Sequence, residues 1–484
     1  MDKTKMSIKI TDLIRQQAQN NPKGVAVFEG DVQLTYAALW DAVEKCKTLL
    51  VEQGVKDGVG VGVIGQNSSS FIIHILAVMH ADATVLPISH NLKADELIKL
   101  CERTQLHFLW SDPTVSISEN LIIDSLDVHN WNLSSVSTRK SENVLVPFVK
   151  QAALIRFTSG TTGKSKGVIL SHQSIIERTE SANEILQLND KDIVMWVLSM
   201  AYHFVVSILL YLRYGCGICI VENFMGDFIY NKTNEIGGTF LYVSPMHIRM
   251  LNRLQGKRSM PSLNRIISTS MAISQDLCDT FYEKFNLPIT QAFGIIEIGL
   301  PVINTRDAKS DPAAIGYALP AYDVAILNSE GGLLTDGEVG QLAIRGPGMF
   351  DAYLDPPISR ESSLEFGYFL TGDLASRAED GRITIAGRKK NVINVSGNKA
   401  FPEEVEAIIN QFPGVKSSRV KGFKHPLLHE CVMAEVVCTS EEEPDVEALI
   451  SFCRKRLSTY KVPQRIIFVD ELPMTDSGKI ARID

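Results

Sequence analysis

The chain has 484 residues, of which 45% are hydrophobic and 21% are charged, and its formal net charge is −8 at pH 7. This composition predicts a globular protein that divides into domains, and it excludes a disordered chain. The negative charge argues against nucleic acid as the main partner. The longest apolar run, around 204–221, is broken by Arg213 and by glycines, so we expect no membrane span.

The cysteines and the N-terminus indicate the compartment. Eight cysteines are scattered along the chain, and only Cys216 and Cys219 have a spacing that could bind a metal. Because that pair lies in an apolar run, buried thiols are favoured over a redox or metal site. The first sixteen residues mix charges with apolar residues and lack the core of a signal peptide. These features predict a cytoplasmic protein.

Helix-like and strand-like segments alternate near the start of the chain. Residues 36–53 have a helical pattern, 59–64 are strand-like, 68–79 are helical with serines at the start, and 84–88 are again strand-like. This alternation predicts a layered α/β structure. Residues 113–145 are polar and have no clear period, so the sequence predicts an irregular segment there.

The pattern changes in the second half of the chain. Residues 320–386 read as short strands with glycine-rich turns, and the basic, glycine-containing stretch 387–400 is a natural domain boundary. Beyond it we expect a helix at 402–411, a strand at 431–438 and a helix at 444–457. These elements predict a small α+β domain.

The most informative segment is FTSGTTGKSKG at 157–167, which contains three glycines, five hydroxyl side chains and two lysines. It follows the strand-like residues 152–155, and a helix start with Ser174 and Glu177 at capping-box spacing comes after it. Glycines let backbone N–H groups approach closely, hydroxyls donate and lysines supply charge, so the segment suits phosphate oxygens. Only two residues separate its first two glycines, whereas a Walker P-loop has four. The sequence therefore predicts a nucleotide-phosphate loop of another kind.

This loop resembles the signature of the AMP-forming adenylating enzymes, a superfamily of acyl-CoA synthetases, adenylation domains of nonribosomal peptide synthetases and beetle luciferases. Five further segments resemble family motifs in the same order: QAFGIIEIG at 291–299, GEVGQLAIRGPGMFDAY at 337–353, YFLTGDLA at 368–375, GRKKNVINVSGNKAFPEEVE at 387–406 and PMTDSGKIAR at 473–482. The resemblance covers nearly the whole chain, and six matches in the family's order are highly specific. The chain is most similar to a stand-alone acyl- or aryl-CoA ligase.

The resemblance implies an α/β fold with two domains. We expect a large layered N-terminal domain, 1–386, with α/β subdomains, a small β-barrel-like region and the ATP and acid sites. A hinge at 387–390 should follow, and then a small mobile α+β lid domain at 391–484. Lys390 falls on the hinge position, where backbone change lets the small domain move between two poses.

The resemblance also implies roles for individual residues. Lys479 matches the catalytic lysine of adenylation, since its ammonium can bridge a carboxylate oxygen and the α-phosphate, and Glu297 matches the magnesium-binding acid. The expected ATP-phosphate ligands are Thr158, Ser159, Gly160, Thr161, Thr162, Gly163, Lys164 and Lys166, of which Lys166 matches the lysine aimed at pyrophosphate. The expected adenine and ribose contacts are Ser270, Met271, Ala272, Phe293, Gly294, Asp373 and Arg388.

The acid pocket is less clear from the sequence. We expect its wall to include Tyr202, His203, Phe204, Tyr242 and Ser244, although His203 could equally be a core histidine. Relatives that activate amino acids have an aspartate near this segment, and this chain has none, so the resemblance favours an aryl or aliphatic acid.

Three departures from the family pattern stand out. The threonine before the metal-binding acid is Ile296 here, proline is replaced by Ser165 in the loop, and Met271 is larger than the usual residue. The expected activity is ATP-dependent formation of acyl-AMP and then transfer to CoA, with ATP, Mg²⁺ and CoA as cofactors. Two alternatives stay open: loading of an acyl carrier protein in trans through its phosphopantetheine, and, because of Ile296, a binding or assisting protein with little adenylation activity.

Overall fold

The computed structural model describes residues 8–137, 145–158, 166–395, 398–425, 429–440, 443–474 and 480–482. The chain forms two compact units. The first unit contains the described residues up to Thr158, then Lys166–Asp323 and Arg345–Leu364, and the second contains Val324–Ile344 and the described residues from Glu365 onward. The predicted α/β fold, with a large N-terminal part and a small α+β C-terminal part, is confirmed. The exact boundaries at 386 and 390 stay predictions.

The helices are α1 Ile10–Asn20, α2 Tyr36–Glu52, α3 Ser69–His80, α4 Ala94–Thr104, α5 His172–Leu186, α6 Leu210–Arg213, α7 Gly226–Ile236, α8 Pro245–Asn252, α9 Gln275–Phe285, α10 Pro402–Ile409 and α11 Val446–Arg454. The strands are β1 Val25–Glu29, β2 Val32–Thr35, β3 Gly60–Gly65, β4 Thr84–Ser89, β5 Phe108–Ser111, β6 Ile122–Val128, β7 Trp131–Val136, β8 Ala152–Phe157, β9 Gly167–Ser171, β10 Ile193–Trp196, β11 Gly217–Ile220, β12 Phe240–Val243, β13 Arg265–Ser268, β14 Thr290–Ile295, β15 Gly299–Ile303, β16 Tyr317–Ala318, β17 Asp323–Leu327, β18 Gly340–Arg345, β19 Ala352–Tyr353, β20 Ile358–Ser359, β21 Phe369–Arg377, β22 Ile383–Arg388, β23 Ile393–Val395, β24 Asn398–Ala400, β25 Val415–His425, β26 His429–Cys438 and β27 Arg465–Phe468.

The described strands of the first unit form two nine-stranded sheets. Their strand orders are β16-β15-β14-β13-β12-β10-β11-β1-β2 and β20-β19-β9-β8-β4-β3-β5-β7-β6. Strands β3 and β4 read as continuous apolar runs and are buried along their whole length, as expected for parallel strands covered on both faces. The sheet order brings β8, β9 and β19 side by side, which places the two ends of the phosphate loop next to the GPGMFDAY segment.

The second unit contains, within the described residues, a four-stranded sheet of order β17-β18-β21-β22, a β23-β24 hairpin and a three-stranded sheet of order β25-β26-β27. The strands of the four-stranded sheet cover the segment 320–386, for which short strands were predicted. Helix α10 packs on β25, and Val405 and Ile409 from the helix join Val420 and Val436 in one core.

The segment 113–145 differs from its prediction, because β6 and β7 form an antiparallel hairpin there. The turn uses His129 and Asn130, both with positive φ, a conformation that two-residue hairpins require. Strand β6 lies at the edge of its sheet and is mostly exposed, so it lacks the alternating apolar residues that would have indicated a strand.

The structure bears on two further expectations, those for the cysteines and for a membrane span. All eight cysteines are free, and Cys216 and Cys219 are buried, as predicted for thiols in an apolar run. Among the described residues, no helix combines the length and the hydrophobicity that crossing a membrane requires.

Candidate functional site

The phosphate loop connects β8 to β9, and its base is fixed by backbone pairing. The N–H of Thr158 donates to the carbonyl of Lys166 at 3.0 Å, and the N–H of Lys166 donates to Thr158 Oγ1 at 3.1 Å. These bonds extend the β8–β9 ladder and set the direction of both ends of the loop. The predicted phosphate ligands Ser159, Gly160, Thr161, Thr162, Gly163 and Lys164 lie outside the described residues.

Glu297 is held at the turn that connects β14 to β15. The hydroxyl of Tyr353 donates to Glu297 Oε1 at 3.2 Å, and the N–H of Phe350 donates to the Glu297 carbonyl at 2.7 Å. Tyr353 lies on β19 opposite Val168 of β9. Lys166 Nζ is 4.4 Å from the centre of the Tyr353 ring. The fold thus groups Glu297, Tyr353 and Lys166 beside the base of the loop.

Burial and charge act in opposite directions on the Glu297 carboxyl. Burial raises its pKa, whereas its hydrogen bonds, including the one from Tyr353, and the positive charges of Arg156 and Lys166 lower it. A carboxylate that several donors and cations hold in a partly buried place is a suitable hard-oxygen ligand for Mg²⁺. Glu297 therefore fits a metal-binding role chemically.

A buried arginine supports the turn that carries Glu297. Arg178 on α5 donates from Nε to the Gly348 carbonyl at 2.8 Å and from Nη1 to the Ile296 carbonyl at 2.9 Å, and Nη2 also contacts Gly348. Gly348 has φ +66°, and a Cβ there would lie 2.5 Å from the Arg178 backbone nitrogen. Glycine is therefore required at this position of the 337–353 motif.

The capping prediction for the helix after the loop is wrong. The helix starts one turn earlier, at His172, and the hydroxyl of Ser171 accepts the N–H of Ser174. Glu177 instead accepts the N–H of Gly348 at 2.8 Å. The side chain of Glu177, which the local spacing predicted to be part of a helix cap, therefore binds a residue that is distant in the sequence.

Asp373 and Arg388, the predicted ribose contacts, are paired in the second unit. They face each other across the antiparallel β21–β22 pair, and Arg388 Nε lies 2.7 Å from Asp373 Oδ1. Asp373 is buried, whereas Arg388 is exposed and also donates to the Thr371 carbonyl at 3.4 Å. The sheet register therefore brings together two residues that are fifteen positions apart in the sequence.

The predicted adenine-binding segments end two neighbouring parallel strands. Strand β13 pairs with β14 through Ile267 and Thr290. Ser270, Met271 and Ala272 follow β13, and Phe293 and Gly294 are on β14. Ser270 has φ +74°, and Met271 is 38% exposed. The carboxyl ends of parallel strands are where α/β folds usually bind ligands.

Trp196 links the two predicted halves of the acid pocket. Its ring stacks on Tyr242 with centroids 5.8 Å apart and contacts His203 edge-on at 6.4 Å. Tyr202 and His203 are partly exposed, whereas Phe204 is buried and packs on Phe71. The structure therefore places Phe204 in the core.

Ser244 also has a structural contact that explains its position. It is the N-cap of α8, and its Oγ lies 2.8 Å from His247 Nδ1. A serine before Pro245 at the first helical position is a common helix start.

Three residues near the loop were not predicted from the sequence: Arg156, Arg178 and Tyr353. Tyr353 ends a quoted motif, and that position was its only signal. Arg156 directly precedes the segment 157–167 but had no partner nearby in sequence. Lys390 lies exposed in a short helical turn at Lys389–Asn391, and Lys479 lies outside the described residues.

The family model of AMP-binding enzymes matches residues 14–354, and that of the AMP-binding enzyme C-terminal domain matches 404–479. The chain is 27% identical over 502 residues to oxalate–CoA ligase of Arabidopsis thaliana, covering 98% of this chain and 97% of that protein. It is 25% identical over 475 residues to 2-succinylbenzoate–CoA ligase of Bacillus cereus, covering 97% and 96%.

Among solved structures, the chain resembles o-succinylbenzoate CoA synthetase of Bacillus subtilis in complex with its acyl-adenylate intermediate. The TM-score is 0.86 at 21% identity, covering 97% of this chain and 96% of that one. The same synthetase in complex with ATP and magnesium ion gives a TM-score of 0.85, also at 21% identity, covering 97% and 98%. This likeness confirms the fold. Because both family models match in order over most of its length, the chain belongs to the family of AMP-binding enzymes, which confirms the expected class, the acid–thiol ligases.

Proposed function

We propose that this protein uses ATP to convert a carboxylic acid into an acyl-AMP with release of pyrophosphate, and then transfers the acyl group to the thiol of CoA. The observation that carries the proposal is the grouping of Glu297, Tyr353 and Lys166 at the base of the phosphate loop. Support also comes from curated relatives that are named CoA ligases and from a structural neighbour bound to an acyl-adenylate.

The first step needs the acid carboxylate to attack the α-phosphorus while pyrophosphate leaves. Positioning and charge stabilisation supply most of such catalysis. Lys166 would neutralise the departing pyrophosphate, and Lys479 would bridge the attacking carboxylate and the α-phosphate. Asp373 would accept hydrogen bonds from the ribose hydroxyls, with Arg388 holding its carboxylate in place.

The acid at position 297 fits a magnesium ligand. The Glu297 carboxylate is oriented by Tyr353 and faces the positive charges of Arg156 and Lys166. Bound Mg²⁺ would offset phosphate charge, and a single carboxylate is enough because Mg²⁺ keeps waters and phosphate oxygens as its other ligands. The protein's own contribution is to fix that carboxylate beside the loop.

The second step needs a rearrangement, for which we propose a hinge at 387–390 between an N-terminal domain, 1–386, and a lid domain, 391–484. Lys390 is exposed at the centre of a short helical turn. Such a position can change its backbone angles without disturbing a packed side chain.

A second candidate acceptor is the phosphopantetheine of an acyl carrier protein supplied in trans. A third candidate, motivated by Ile296, is a protein that binds a nucleotide or an acid but adenylates slowly. The nature of the thiol distinguishes the first two, and the rate of adenylate formation distinguishes the third.

Product analysis separates these candidates. The purified protein is incubated with ATP, Mg²⁺ and a panel of acids, with CoA, with a phosphopantetheinylated carrier protein, or with neither. We expect pyrophosphate and acyl-AMP when no thiol is present, and AMP, pyrophosphate and acyl-CoA in equal amounts when CoA is present. The variant Glu297→Gln should lose most of this activity, whereas the exposed control Glu283→Gln should keep it. Acyl transfer to the carrier protein alone would favour the second candidate, and absence of pyrophosphate would favour the third.

A further inference from the structure

Two arginines of the first unit lie in similar surroundings but differ in their hydrogen bonds. Burial lowers the pKa of both Arg156 and Arg178 to about 10. Each guanidinium nitrogen of Arg178 donates to the carbonyl of Gly348 or of Ile296. Arg156, by contrast, is only partly exposed, and its Nε is buried without a hydrogen-bond partner among the described residues.

A buried, unpaired N–H of a guanidinium is costly for a fold. A buried donor without an acceptor destabilises a protein, and the cost is larger for a charged group. A bound ligand can supply the missing acceptor, and functional sites are where strained or unsatisfied groups concentrate. Arg178 already binds the backbone carbonyls that shape the turn at Glu297. Within the described part of the chain Arg156 makes no such contact, so we consider a bound anion as its partner.

The strand geometry sets the direction in which Arg156 points. It precedes Phe157 on β8, and successive side chains of a strand point to opposite faces. The Phe157 ring contacts Arg103 on one face. On the other face, Arg156 lies near enough to Glu297, Tyr202 and Tyr242 for their charges to affect its pKa. Arg156 therefore lies on the side of β8 that faces Glu297 and the proposed acid pocket.

The surroundings favour an anion carried by an apolar body. The Tyr242 ring is buried and stacks on Trp196, so the wall near Arg156 is aromatic. A guanidinium offers two parallel N–H groups that match the two oxygens of a carboxylate. The reacting carboxylate is a poor candidate for this contact, because a bidentate arginine would draw electron density from its oxygens and make it a weaker nucleophile towards phosphorus.

We infer that Arg156 binds a second carboxylate of the substrate, so that the preferred acid is a dicarboxylic acid with an apolar spacer. This inference rests on the proposed function and names the class of its acid substrate. Arg156 would select the substrate by charge, while the tyrosines and Trp196 would pack on the spacer.

The test compares acids of the same carbon skeleton with and without a second carboxylate: butyrate with succinate, valerate with glutarate, and (2-methylphenyl)acetate with homophthalate. Acid-dependent pyrophosphate release gives kcat/KM for each acid with wild type, Arg156→Met and Arg156→Lys. We expect the diacid of at least one pair to be preferred by wild type, and Arg156→Met to reduce that preference by about 10–100-fold. Arg156→Lys should restore part of the preference, because it keeps the charge but not the planar fork.

Two results would overturn the inference. In one, wild type prefers the monoacid in every pair. In the other, Arg156→Met lowers kcat/KM equally for both acids of a pair or raises the KM for ATP, which would assign Arg156 to the phosphates. Thermal unfolding of each variant shows whether it folds. If Arg156→Met does not fold, Arg156→Lys is used to test the preference for the diacid.

A binding measurement separates this inference from the proposed function. Calorimetric titration of wild type with glutarate and with valerate, without ATP, needs no catalysis. Stronger binding of glutarate, lost in Arg156→Met, would support the subsite even if no acid released pyrophosphate. Equal binding, or no binding of either acid together with no preference in the activity assay, would contradict it.

Discussion

The hydroxyl of Tyr353 donates a hydrogen bond to Glu297 Oε1 at 3.2 Å, although the two residues are 56 positions apart in the chain. The contact exists because β19 joins the sheet beside β9, opposite Val168. It orients the carboxylate that we propose as the magnesium ligand, and it offsets part of the rise in pKa that burial imposes on Glu297.

Replacing Tyr353 with phenylalanine should therefore weaken activity in a pH-dependent way. Loss of the donor raises the pKa of Glu297 further, so more of the protein carries a neutral carboxyl at acid pH. We expect kcat/KM for ATP to fall by about 10-fold or more, with the largest loss at low pH and partial recovery as the pH rises. A pH profile of pyrophosphate release measures this, and a uniform loss at all pH values would contradict the titration argument.

Ile296 is predicted to limit binding of the adenylate. An isoleucine cannot donate to a phosphate oxygen, and a missing hydrogen bond to a charged group is worth about 1.5–3 kcal/mol. The backbone carbonyl of Ile296 accepts from Arg178, so the turn should keep its shape in Ile296→Thr, which preserves β-branching. Calorimetry with a non-hydrolysable acyl-adenylate analogue should show tighter binding, whereas unchanged affinity would mean that the side chain at 296 does not reach the phosphate.

Lys390 tests the proposed hinge. Proline fixes φ and should trap one pose, so Lys390→Pro should retain adenylation and lose transfer to the thiol. The two half-reactions are measured separately, as pyrophosphate release and as thioester formation from supplied acyl-AMP. The variant Lys390→Ala, at the same position, keeps the backbone free to move and serves as the control. Equal loss of both half-reactions in the proline variant would rule out the two-pose model.

His172 should make stability fall in acid. It is 3% exposed, and burial, with Lys9 as the next contributor, lowers its pKa to about 4. The unfolded chain binds a proton near pH 6.5, whereas the folded chain does not until about pH 4, so the free energy of unfolding falls as the pH drops through that window, by up to about 1.4 kcal/mol per pH unit.

Urea unfolding followed by tryptophan fluorescence measures this dependence, since all four tryptophans are in the first unit. We expect His172→Gln to show a shallower dependence on pH than wild type, and the exposed control His90→Gln to match wild type. An unchanged slope in His172→Gln would contradict the burial argument.

Local sequence patterns predicted individual helices and strands, and the family motifs predicted candidate site residues. Helix α2 and strands β3 and β4 have the periodicity and glycine or serine boundaries of their types, and the motif residues Asp373 and Arg388 proved to be cross-strand partners. The contacts of Arg156, Tyr353 and Trp196 could not be predicted, because strand order and register bring these residues to their partners. The β6–β7 hairpin was missed because an exposed edge strand has no apolar alternation to detect.

The central claim is that an acyl-AMP forms before any thiol is involved, with Lys479 aiding that step. Exchange of labelled pyrophosphate into ATP measures it directly, because exchange requires reversible adenylation. We predict exchange that depends on a carboxylic acid, proceeds without CoA and falls by about 10²–10³ in Lys479→Ala, while that variant still forms thioester from supplied acyl-AMP. Exchange that requires CoA, or that continues at the wild-type rate in Lys479→Ala, would contradict the account.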